Sequence, residues 1–415
     1  MTIRKKRRKK RSISSHFSSK RVLFPILLGL AVAVFMIGKD FSSPIYIETA
    51  SGSGTHIWKD LNQNKVKEAE EIFLPTSEEL PNIRIATQSN ILSDFFHNWT
   101  GSTLAFLLLA ILMVLLRDFF YICRIRLLTD KQFSWKQSFQ VIMLWEFGSA
   151  ITPSVVGGSA LAFFIVSLEG IPAGRSTAIV MSTALLDELF YIVVTPIVIL
   201  LIGSELAFST YTHFSFLSGT FGVKIIFGIG YGFMCLLSLF ILFSIFWYPR
   251  KSKQFLRFLG TRKMFHKWQE KFVKMGDDIV TTSKELRGKS VWFWTKAYGY
   301  TLLSWTARFF VVNFLLLMVS STGNHILIWV RQLVMWIILC ISPTPGSTGI
   351  AEFAFPIFLG EFIPEGMSSF MSIAWRMFTY YPYLVIGLIV LPIWTKRVIR
   401  RQREKRALRQ NIEKE

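Results

Sequence analysis

The sequence predicts an all-α polytopic membrane protein with about six full spans and two re-entrant helical hairpins in an inverted-repeat arrangement. Three observations predict this fold class. The chain of 415 residues is 52% hydrophobic and only 18% charged, and its charges form blocks between long uncharged runs, a pattern typical of membrane proteins rather than soluble domains. Proline and glycine interrupt two of the apolar runs. The order of elements around these two runs is repeated.

Basic residues are concentrated in four blocks of the chain, whose net charge is +21. Two blocks are at the ends of the chain, residues 1–21 and 396–415, the latter including the basic cytoplasmic tail predicted at 398–415, and two are internal, at 124–136 and 250–289. Lysine and arginine are retained on the cytoplasmic side of membranes and attracted to anionic lipid. We therefore expect a multi-pass protein of a bacterial-type cytoplasmic (inner) membrane, with both termini cytoplasmic and the basic blocks near the anionic cytoplasmic leaflet. Nucleic-acid binding is the alternative explanation of the charge, and we expect no nucleic acid as a partner.

Six apolar runs are long enough to cross about 30 Å of hydrocarbon as helices. The first, residues 22–38, is not followed by a small-residue cleavage pattern, so we interpret it as a retained anchor helix. The other five are residues 99–122, 175–203, 223–248, 291–319 and 368–394. Six spans place both tails on one side, in agreement with the charge pattern. Residues 39–98 are then an extracytoplasmic segment, for which we predict a short, partly helical cap.

Two further apolar stretches contain a break. Residues 151–158 have the sequence ITPSVVGG, and residues 341–349 have the sequence ISPTPGSTG. Proline removes a helical donor, and the apolar segment on either side of each break is too short to span a membrane. We therefore predict two re-entrant hairpins of two half-helices each, the first entering from the cytoplasm and the second from the opposite face. Two additional full spans are the alternative.

The order span, hairpin, span occurs in residues 99–203 and again in residues 291–394. Residues 223–290 connect the two halves with one span and a basic segment, predicted as an amphipathic helix on the leaflet or a helix packed on the protein's own loops. The whole forms a predicted transmembrane domain at 99–397. Opposed hairpins in two such halves are typical of inverted-topology repeats, whose substrate site lies near the membrane midplane. A chance match of proline and small residues is the alternative.

Ionisable residues inside the spans and hairpins are functional candidates, because each costs about 2.5–3.5 kcal/mol at the membrane centre on insertion scales. They are Glu146, Asp187, Glu188, Arg308, Arg331, Glu352 and Arg376. A structural interpretation pairs Asp187 or Glu188 with Arg376 across the repeat. A functional interpretation has an arginine hold a lipid phosphate while a carboxylate exchanges a proton or displaces the headgroup. Arg117 is expected to snorkel from the cytoplasmic end of its span.

The predicted substrate-binding site combines these charges with the hairpin turns, where half-helix N-termini expose N–H groups suited to a phosphate or carboxylate. Its residues are Arg376, Glu352, Arg308, Asp187, Glu188, Pro153, Gly157, Gly158, Pro343, Pro345, Gly346 and Gly349. The glycines allow close approach of a ligand to the backbone, or they serve only turns and tight helix packing.

The sequence contains no recognisable catalytic or metal-binding constellation. Three cysteines are too few for a disulfide framework, and no phosphate loop or zinc motif occurs. The Gly157-Gly158-Ser159 element has no histidine base within a predicted span. We therefore expect no catalytic residues, no metal and no cofactor.

Residues 342–352, SPTPGSTGIAE, are followed by Arg376 and Tyr380-Tyr381. This stretch resembles the Pro-Thr-Pro-Gly-Gly-x-Gly-x-x-Glu signature of the lysylphosphatidylglycerol synthase transmembrane-region, or flippase-like, family of integral membrane proteins. Arg124-x-Arg126 and Pro153-x-x-x-Gly157-Gly158 fit the first half of that family's pattern, and the resemblance covers about residues 99–397. Ser347 stands where the second glycine is usual.

The resemblance implies lipid translocation, with residues 343–352 and Arg376 at the lipid-handling site. It does not imply synthase activity, because the twenty-residue basic tail leaves no room for the separate aminoacyl-transferase domain. We therefore predict a translocator that moves a phosphate-headed lipid, a phospholipid or a polyprenyl-phosphate lipid, between leaflets. The alternatives are a membrane enzyme or enzyme subunit that modifies a lipid phosphate, and a scaffold for an envelope assembly. A transporter is favoured over an enzyme, and a homo-oligomer is left open.

Overall fold

The computed structural model is mostly helical. It describes residues 44–50, 52–59, 71–75, 80–152, 154–208, 213–216, 219–261, 269–320 and 323–412, with residues 27, 31, 34, 35 and 38. The predicted anchor helix at 22–38 therefore lies largely outside the described residues, and Pro153 and the basic tail at 1–21 lie wholly outside them.

The α-helices form most of the described chain. In order they are α1 (Gln88–His97), α2 (Gly101–Leu128), α3 (Trp135–Ile151), α4 (Ser154–Leu168), α5 (Ala173–Ile202), α6 (Ser204–Ala207), α7 (Val223–Leu242), α8 (Pro249–Thr261), α9 (Gln269–Leu286), α10 (Val291–Leu317), α11 (His325–Cys340), α12 (Ile350–Leu359), α13 (Ser368–Thr379) and α14 (Tyr381–Ile412). A π-helical turn at Phe243–Trp247 follows α7, and a 3-10 turn at Gly360–Phe362 follows α12.

Five helical segments in the described part of the chain are long and apolar enough to cross a membrane. They are Gly101–Leu128, Gly174–Ile202, Val223–Trp247, Val291–Leu317 and Ser368–Arg401. Each coincides with one of the five predicted spans that follow the anchor. The helical content and these five segments support an all-α polytopic membrane protein.

The segment that precedes the first of these spans contains strands, which the sequence pattern does not predict. β1 (Ile45–Glu48) pairs antiparallel with β4 (Ile83–Ala86), and β2 (Ile57–Trp58) pairs with β3 (Ile72–Phe73). The helical part of the expected cap is α1. The strands are too short to show an alternating pattern, and their partners are distant in sequence, so local periodicity could not reveal them. A third antiparallel pair, β5 (His213–Phe216) and β6 (Gly219–Gly222), precedes α7.

Helices α2 and α10, the first span of each predicted half, pack along each other. Ala297, Thr301 and Ser304 of α10 are fully buried, and small residues at such spacing let two helices approach closely. The Ser304 hydroxyl donates to the backbone carbonyl of Arg117 across this interface, at 2.9 Å. This is the most extensive contact between two helices in the described part of the chain, and we call α2 and α10 the central helices.

Both predicted breaks separate two short helices. Helices α3, α4, α11 and α12 have 17, 15, 16 and 10 residues, whereas about 20 are needed to span a membrane. Helix α4 runs back along α3, as two close approaches show. A Cβ atom on Gly158 would lie 2.4 Å from the Ser149 hydroxyl oxygen, and one on Gly148 would lie 3.2 Å from the Leu161 side chain. Helices α3 and α14 also approach closely, since a Cβ on Gly387 would lie 2.3 Å from the Phe147 ring.

The last predicted span, 368–394, is broken into α13 and α14 rather than continuous. Tyr380 between them has φ −132° and ψ −61°, outside the helical region. Pro382 explains the interruption, because it cannot donate a hydrogen bond to the preceding turn and its ring crowds the carbonyl four residues earlier.

Helices α8 and α9 form a pair within the basic segment at 250–289. Lys253 and Asp277 are ion-paired between them, and the Lys253 ammonium lowers the pKa of the Asp277 carboxyl. Leu256 and Ile279 are buried, whereas Phe255 is 50% exposed. The buried residues fit the interpretation of a helix packed on the protein. The exposed phenylalanine fits the interpretation of an amphipathic helix on the leaflet.

Candidate functional site

An ion pair between Glu352 of α12 and Arg376 of α13 lies beside the second break and contacts its loop. Arg376 Nε lies 2.9 Å from Glu352 Oε1, and the two side chains are 5% and 1% exposed. The other carboxylate oxygen accepts the backbone N–H of Gly349 at 2.7 Å, which satisfies a free donor at the start of α12. Arg376 Nη2 donates to the carbonyl of Gly346 at 3.1 Å and to Thr348 Oγ1 at 3.3 Å.

The loop of this break depends on left-handed backbone. Gly346 has φ +57°, and a Cβ there would lie 2.3 Å from the Tyr380 ring. Ser347, where the family pattern has glycine, also has a positive φ of 54°. Its hydroxyl donates to the carbonyl of Leu339 at 3.2 Å, so the serine retains the turn with an added hydrogen bond. We call Gly346, Thr348, Glu352, Arg376 and Tyr380 the turn network.

The expected ion pair between Asp187 or Glu188 and Arg376 is wrong. Arg376 pairs with Glu352 on the neighbouring helix, and Asp187 pairs with Arg124. Equivalent positions in the two halves suggested the pairing, but side-chain contact depends on how the helices are rotated and packed, which sequence spacing does not specify.

A second set of charges, the charge cluster, lies where α2, α3, α10 and α14 meet. Its members are Arg117, Asp118, Glu146, Arg308 and Tyr383. Arg117 Nη2 lies 2.6 Å from Glu146 Oε1, and Arg117 Nη1 lies 2.6 Å from Asp118 Oδ1. Arg308 Nη2 lies 3.6 Å from the other oxygen of Glu146. Tyr383 donates to Asp118 at 3.0 Å. Two arginines from the two central helices therefore share one carboxylate.

The charge cluster continues into an ion pair between α2 and α5. Arg124 Nη1 and Nη2 lie 2.6 and 3.0 Å from the two oxygens of Asp187, a bidentate geometry that strengthens such pairs. Thr301 accepts from Arg124 Nη1 at 2.9 Å, and Trp305 Nε1 donates to Asp187 Oδ1 at 2.9 Å. The Tyr121 ring lies 4.4 Å from the Arg124 guanidinium and 4.7 Å from that of Arg117. This pair joins the first and last spans of the first half.

Arg117 does not snorkel, contrary to expectation. Helix α2 continues to Leu128, so Arg117 lies well inside it, and its side chain is only 3% exposed. The signal that could have identified it is its spacing from Arg308, 191 residues, close to the 190 residues that separate Pro153 from Pro343. The two arginines occupy nearly equivalent places in the two predicted halves.

A small cleft opens beside the charge cluster. It is lined by Val114, Arg117, Arg308, Val311, Phe378, Thr379 and Tyr383. Its volume is about 10 Å³, roughly what a single water molecule requires. Both arginines of the cluster thus face one narrow opening between the halves.

Glu188 faces away from its neighbour Asp187. It accepts a hydrogen bond from the Ser238 hydroxyl of α7, and no lysine or arginine of the described residues forms an ion pair with it. Helix α5 therefore carries one carboxylate that joins it to the central helices and one that contacts α7.

The far ends of both short-helix pairs are held by further ion pairs. Glu169, after α4, contacts Arg397, accepts from Trp394 Nε1 at 2.7 Å and is 1% exposed. Arg331 of α11 lies 2.8 Å from Glu361, beyond α12. The first set of contacts joins the α3/α4 pair to α14, and the second joins the two helices of the α11/α12 pair.

The remaining predicted residues lie in the second break or in the helix that follows the first. Gly157 lies within α4, and Gly158 packs against α3 and so serves tight helix packing. Pro343 and Pro345 lie in the loop after α11, where the Pro345 carbonyl accepts from Thr348 at 2.8 Å. No three His, Cys, Asp or Glu side chains lie together as metal ligands within the described parts of the chain.

The fold and these contacts define a class: a multi-pass helical membrane protein that combines two interrupted helix pairs with a buried cluster of arginines and carboxylates. The chain belongs to the lysylphosphatidylglycerol synthase TM-region family, whose profile matches residues 91–387, which confirms the resemblance seen in residues 342–352. A "UPF0104 membrane protein" of Archaeoglobus fulgidus is 27% identical over 307 residues, which cover 70% of this chain and 86% of that protein. No solved structure matches the chain.

Proposed function

We propose that this protein is a lipid translocator that moves a phosphate-headed lipid between the leaflets of a bacterial-type cytoplasmic membrane, with both termini cytoplasmic. The observation that carries this proposal is the sharing of Glu146 by Arg117 and Arg308 beside a cleft. Charges inside a membrane protein are costly and mark substrate pathways. Guanidinium groups bind phosphate and carboxylate oxygens with the same geometry, so an anionic headgroup can replace the carboxylate.

The two pairs of short helices act in this proposal as re-entrant hairpins that enter from opposite faces of an inverted repeat. Their lengths and the antiparallel packing of α3 and α4 support this arrangement. Irregular backbone at membrane depth persists only where protein or water covers it, and Thr348 in the second break is fully buried. The hairpins thereby enclose the polar path of the headgroup.

Translocation requires the cleft to widen. Its volume of about 10 Å³ is too small for a phosphate headgroup, so this arrangement is the closed state in the proposed alternating-access cycle. The contact between Arg308 and Glu146, at 3.6 Å, is longer than the 2.6 Å contact between Arg117 and Glu146. Arg308 is therefore the arginine that a lipid phosphate captures first, and Arg117 retains the carboxylate.

The test is leaflet exchange of fluorescent phosphatidylglycerol in proteoliposomes, measured by quenching of the outer leaflet. We expect wild-type protein to accelerate exchange and Arg308→Gln to reduce the rate about tenfold or more, since a charge-assisted contact is lost. Arg400→Gln, a change of an arginine that is 80% exposed on α14, is the matched control and keeps the wild-type rate.

Two results would overturn the proposal. One is an absence of protein-dependent exchange for both phosphatidylglycerol and a polyprenyl phosphate, and the other is full exchange in Arg308→Gln. Mass spectrometry of the lipids after the assay separates translocation from chemistry, since a translocator returns its lipid unchanged. A modified headgroup would instead identify an enzyme.

A further inference from the structure

Glu188 differs from the other carboxylates that lie between the described helices. Glu146 faces Arg117, Asp187 faces Arg124, and Glu352 faces Arg376. Glu188 lies midway along α5, and the contact that defines its position is the hydrogen bond from Ser238. A carboxylate at membrane depth without a cation is strongly disfavoured, whereas a protonated carboxyl is neutral and can share a hydrogen bond with a hydroxyl.

The surroundings of Glu188 supply no compensating charge. On its own helix the nearest ionisable groups are Asp187, held by Arg124, and the Tyr191 phenol. Helix α7 presents Ser238, and α11 presents the Cys340 thiol. Helix α4 contains no titratable residue. On α10 Arg308 faces Glu146, and on α2 Arg117 and Arg124 are paired with Glu146 and Asp187.

Two buried hydroxyls lie on α5 beyond Glu188. Tyr191 is 3% exposed and Thr195 is 1% exposed, and neither hydroxyl has a hydrogen-bond partner among the described residues. Thr195 is seven residues beyond Glu188, on the same face of the helix, and Tyr191 is one turn beyond it. Buried polar atoms nearly always have a hydrogen-bond partner, so two buried hydroxyls without one indicate a site for water or a path for protons.

We propose that Glu188 is a proton-binding site and that the protein couples lipid movement to a proton gradient through it. The Glu188 carboxylate takes up one proton by way of Tyr191 and Thr195 from one side of the membrane and releases it to the other side. Only O–H bonds form and break, those of the Glu188 carboxyl and of the two relaying hydroxyls, and each hydroxyl regains the proton that it passes on. The coupling rests on the proposed translocation, whereas proton binding itself does not.

Helix α5 can transmit the protonation state to the charge cluster. Glu188 contacts α7, and the adjacent Asp187 contacts Arg124 and Trp305 of the central helices. When Glu188 is charged, its carboxylate attracts water or a cation to the contact between α5 and α7. When Glu188 is protonated and neutral, α5 packs directly against α7. The position of α5 therefore differs between the two protonation states. The contacts of Asp187 transmit this difference to the central helices.

The first experiment measures the proton directly, without transport. Infrared difference spectra of the full chain in nanodiscs are recorded as the pH is raised. We expect a band of a protonated carboxyl at neutral pH that disappears at high pH and is missing in Glu188→Gln. Glu205→Gln, which changes an exposed carboxylate paired with Lys224, is the control and keeps the band. If Glu188→Gln does not fold, Glu188→Asp serves instead and shifts the band.

The second experiment measures coupling, in proteoliposomes with fluorescent phosphatidylglycerol and a pH difference of one unit. One proton per lipid would give a leaflet ratio of up to about tenfold. In wild-type protein we expect a bias of several-fold that a protonophore removes. In Glu188→Gln the ratio of rates with and without the gradient falls to one, and Tyr191→Phe reduces it. Glu205→Gln responds as wild type.

The outcomes separate the two proposals. A band that Glu188→Gln does not alter, a gradient response that survives in Glu188→Gln, or a response to sodium instead of protons overturns proton coupling while leaving translocation intact. Absence of all lipid exchange, with a band that depends on Glu188, overturns the proposed function and its coupling but supports the proton site.

Discussion

The hydroxyl of Tyr380 donates a hydrogen bond to the backbone carbonyl of Ala150 at 3.1 Å. Ala150 lies at the end of α3, beside the first break, and Tyr380 lies between α13 and α14. The same hydroxyl is 3.1 Å from Thr348 Oγ1 in the loop of the second break, and the Arg376 guanidinium lies 3.8 Å from its ring centroid. One side chain therefore joins the breaks of both halves.

Tyr380→Phe removes this junction while keeping the ring. We expect a loss of about 1–2 kcal/mol of stability, because a buried carbonyl loses its donor. We also expect a changed rate of the proposed lipid exchange, because the two pairs of short helices are no longer linked. Thermal unfolding in detergent, followed by tryptophan fluorescence, measures the first effect. Tyr381→Phe, whose hydroxyl makes neither contact, is the control. An unaltered unfolding midpoint in Tyr380→Phe would contradict the role of this hydrogen bond.

Arg376→Ala tests whether the turn network is structural or binds lipid. It leaves Glu352, 1% exposed, without its cation, and loss of one partner of a buried pair typically costs about 3–5 kcal/mol. We expect a much lower unfolding midpoint, with Arg400→Ala unchanged. A variant that unfolds like wild type yet exchanges no lipid would instead show that Arg376 binds the headgroup.

Gly387→Ala tests the close packing of α14 against α3. The added Cβ would lie 2.3 Å from the Phe147 ring, and overpacking of this kind typically costs about 1–3 kcal/mol. Gly228→Ala on α7, where a Cβ meets nothing within 4 Å, is the matched control and should be neutral or slightly stabilising. Equal unfolding midpoints for the two variants would mean that α14 and α3 are further apart than described.

Glu146→Gln tests competition between this carboxylate and a lipid phosphate. Removal of the shared negative charge frees Arg308 and leaves Arg117 with Asp118. We expect affinity for glycerol phosphate, measured by calorimetry in nanodiscs of neutral lipid, to rise about tenfold and lipid exchange to slow, since the headgroup is released less readily. Glu205→Gln should bind as wild type does. Weaker binding by Glu146→Gln would show that Glu146 does not compete with the anion.

Much of the helical framework could be predicted from local sequence. The five predicted apolar runs correspond to the five segments able to span a membrane, and the helices are interrupted within both predicted ranges, after Ile151 and between Cys340 and Ile350. Apolar length and the missing donor of proline act within a few residues, so one sequence displays them. The break at Tyr380 could also have been predicted, because Pro382 follows it closely. The strands before α1 could not be predicted from local sequence, because each pairs with a strand that is distant in the chain.

The candidate site was only partly predictable. A charge within an apolar run is conspicuous, so the sequence predicts Arg308, Glu352 and Arg376 as site residues. It places Arg117 near a helix end, because the predicted span stops at residue 122 whereas α2 continues to Leu128. Asp118 and Tyr383 gave no separate signal. Which of these groups meet could not be inferred, since contact across helices depends on rotation and depth.

The amino-acid order alone determined that this is a membrane protein of apolar helices with two interrupted pairs, because hydrophobic length, charge segregation and proline act on the chain locally. Only the tertiary structure decided that Arg376 closes on Glu352, that Arg117 and Arg308 share Glu146, and that Glu188 is left with a hydroxyl. A buried charge takes whichever opposite charge the packed helices bring within a few ångströms, and that distance exists only after the helices have assembled.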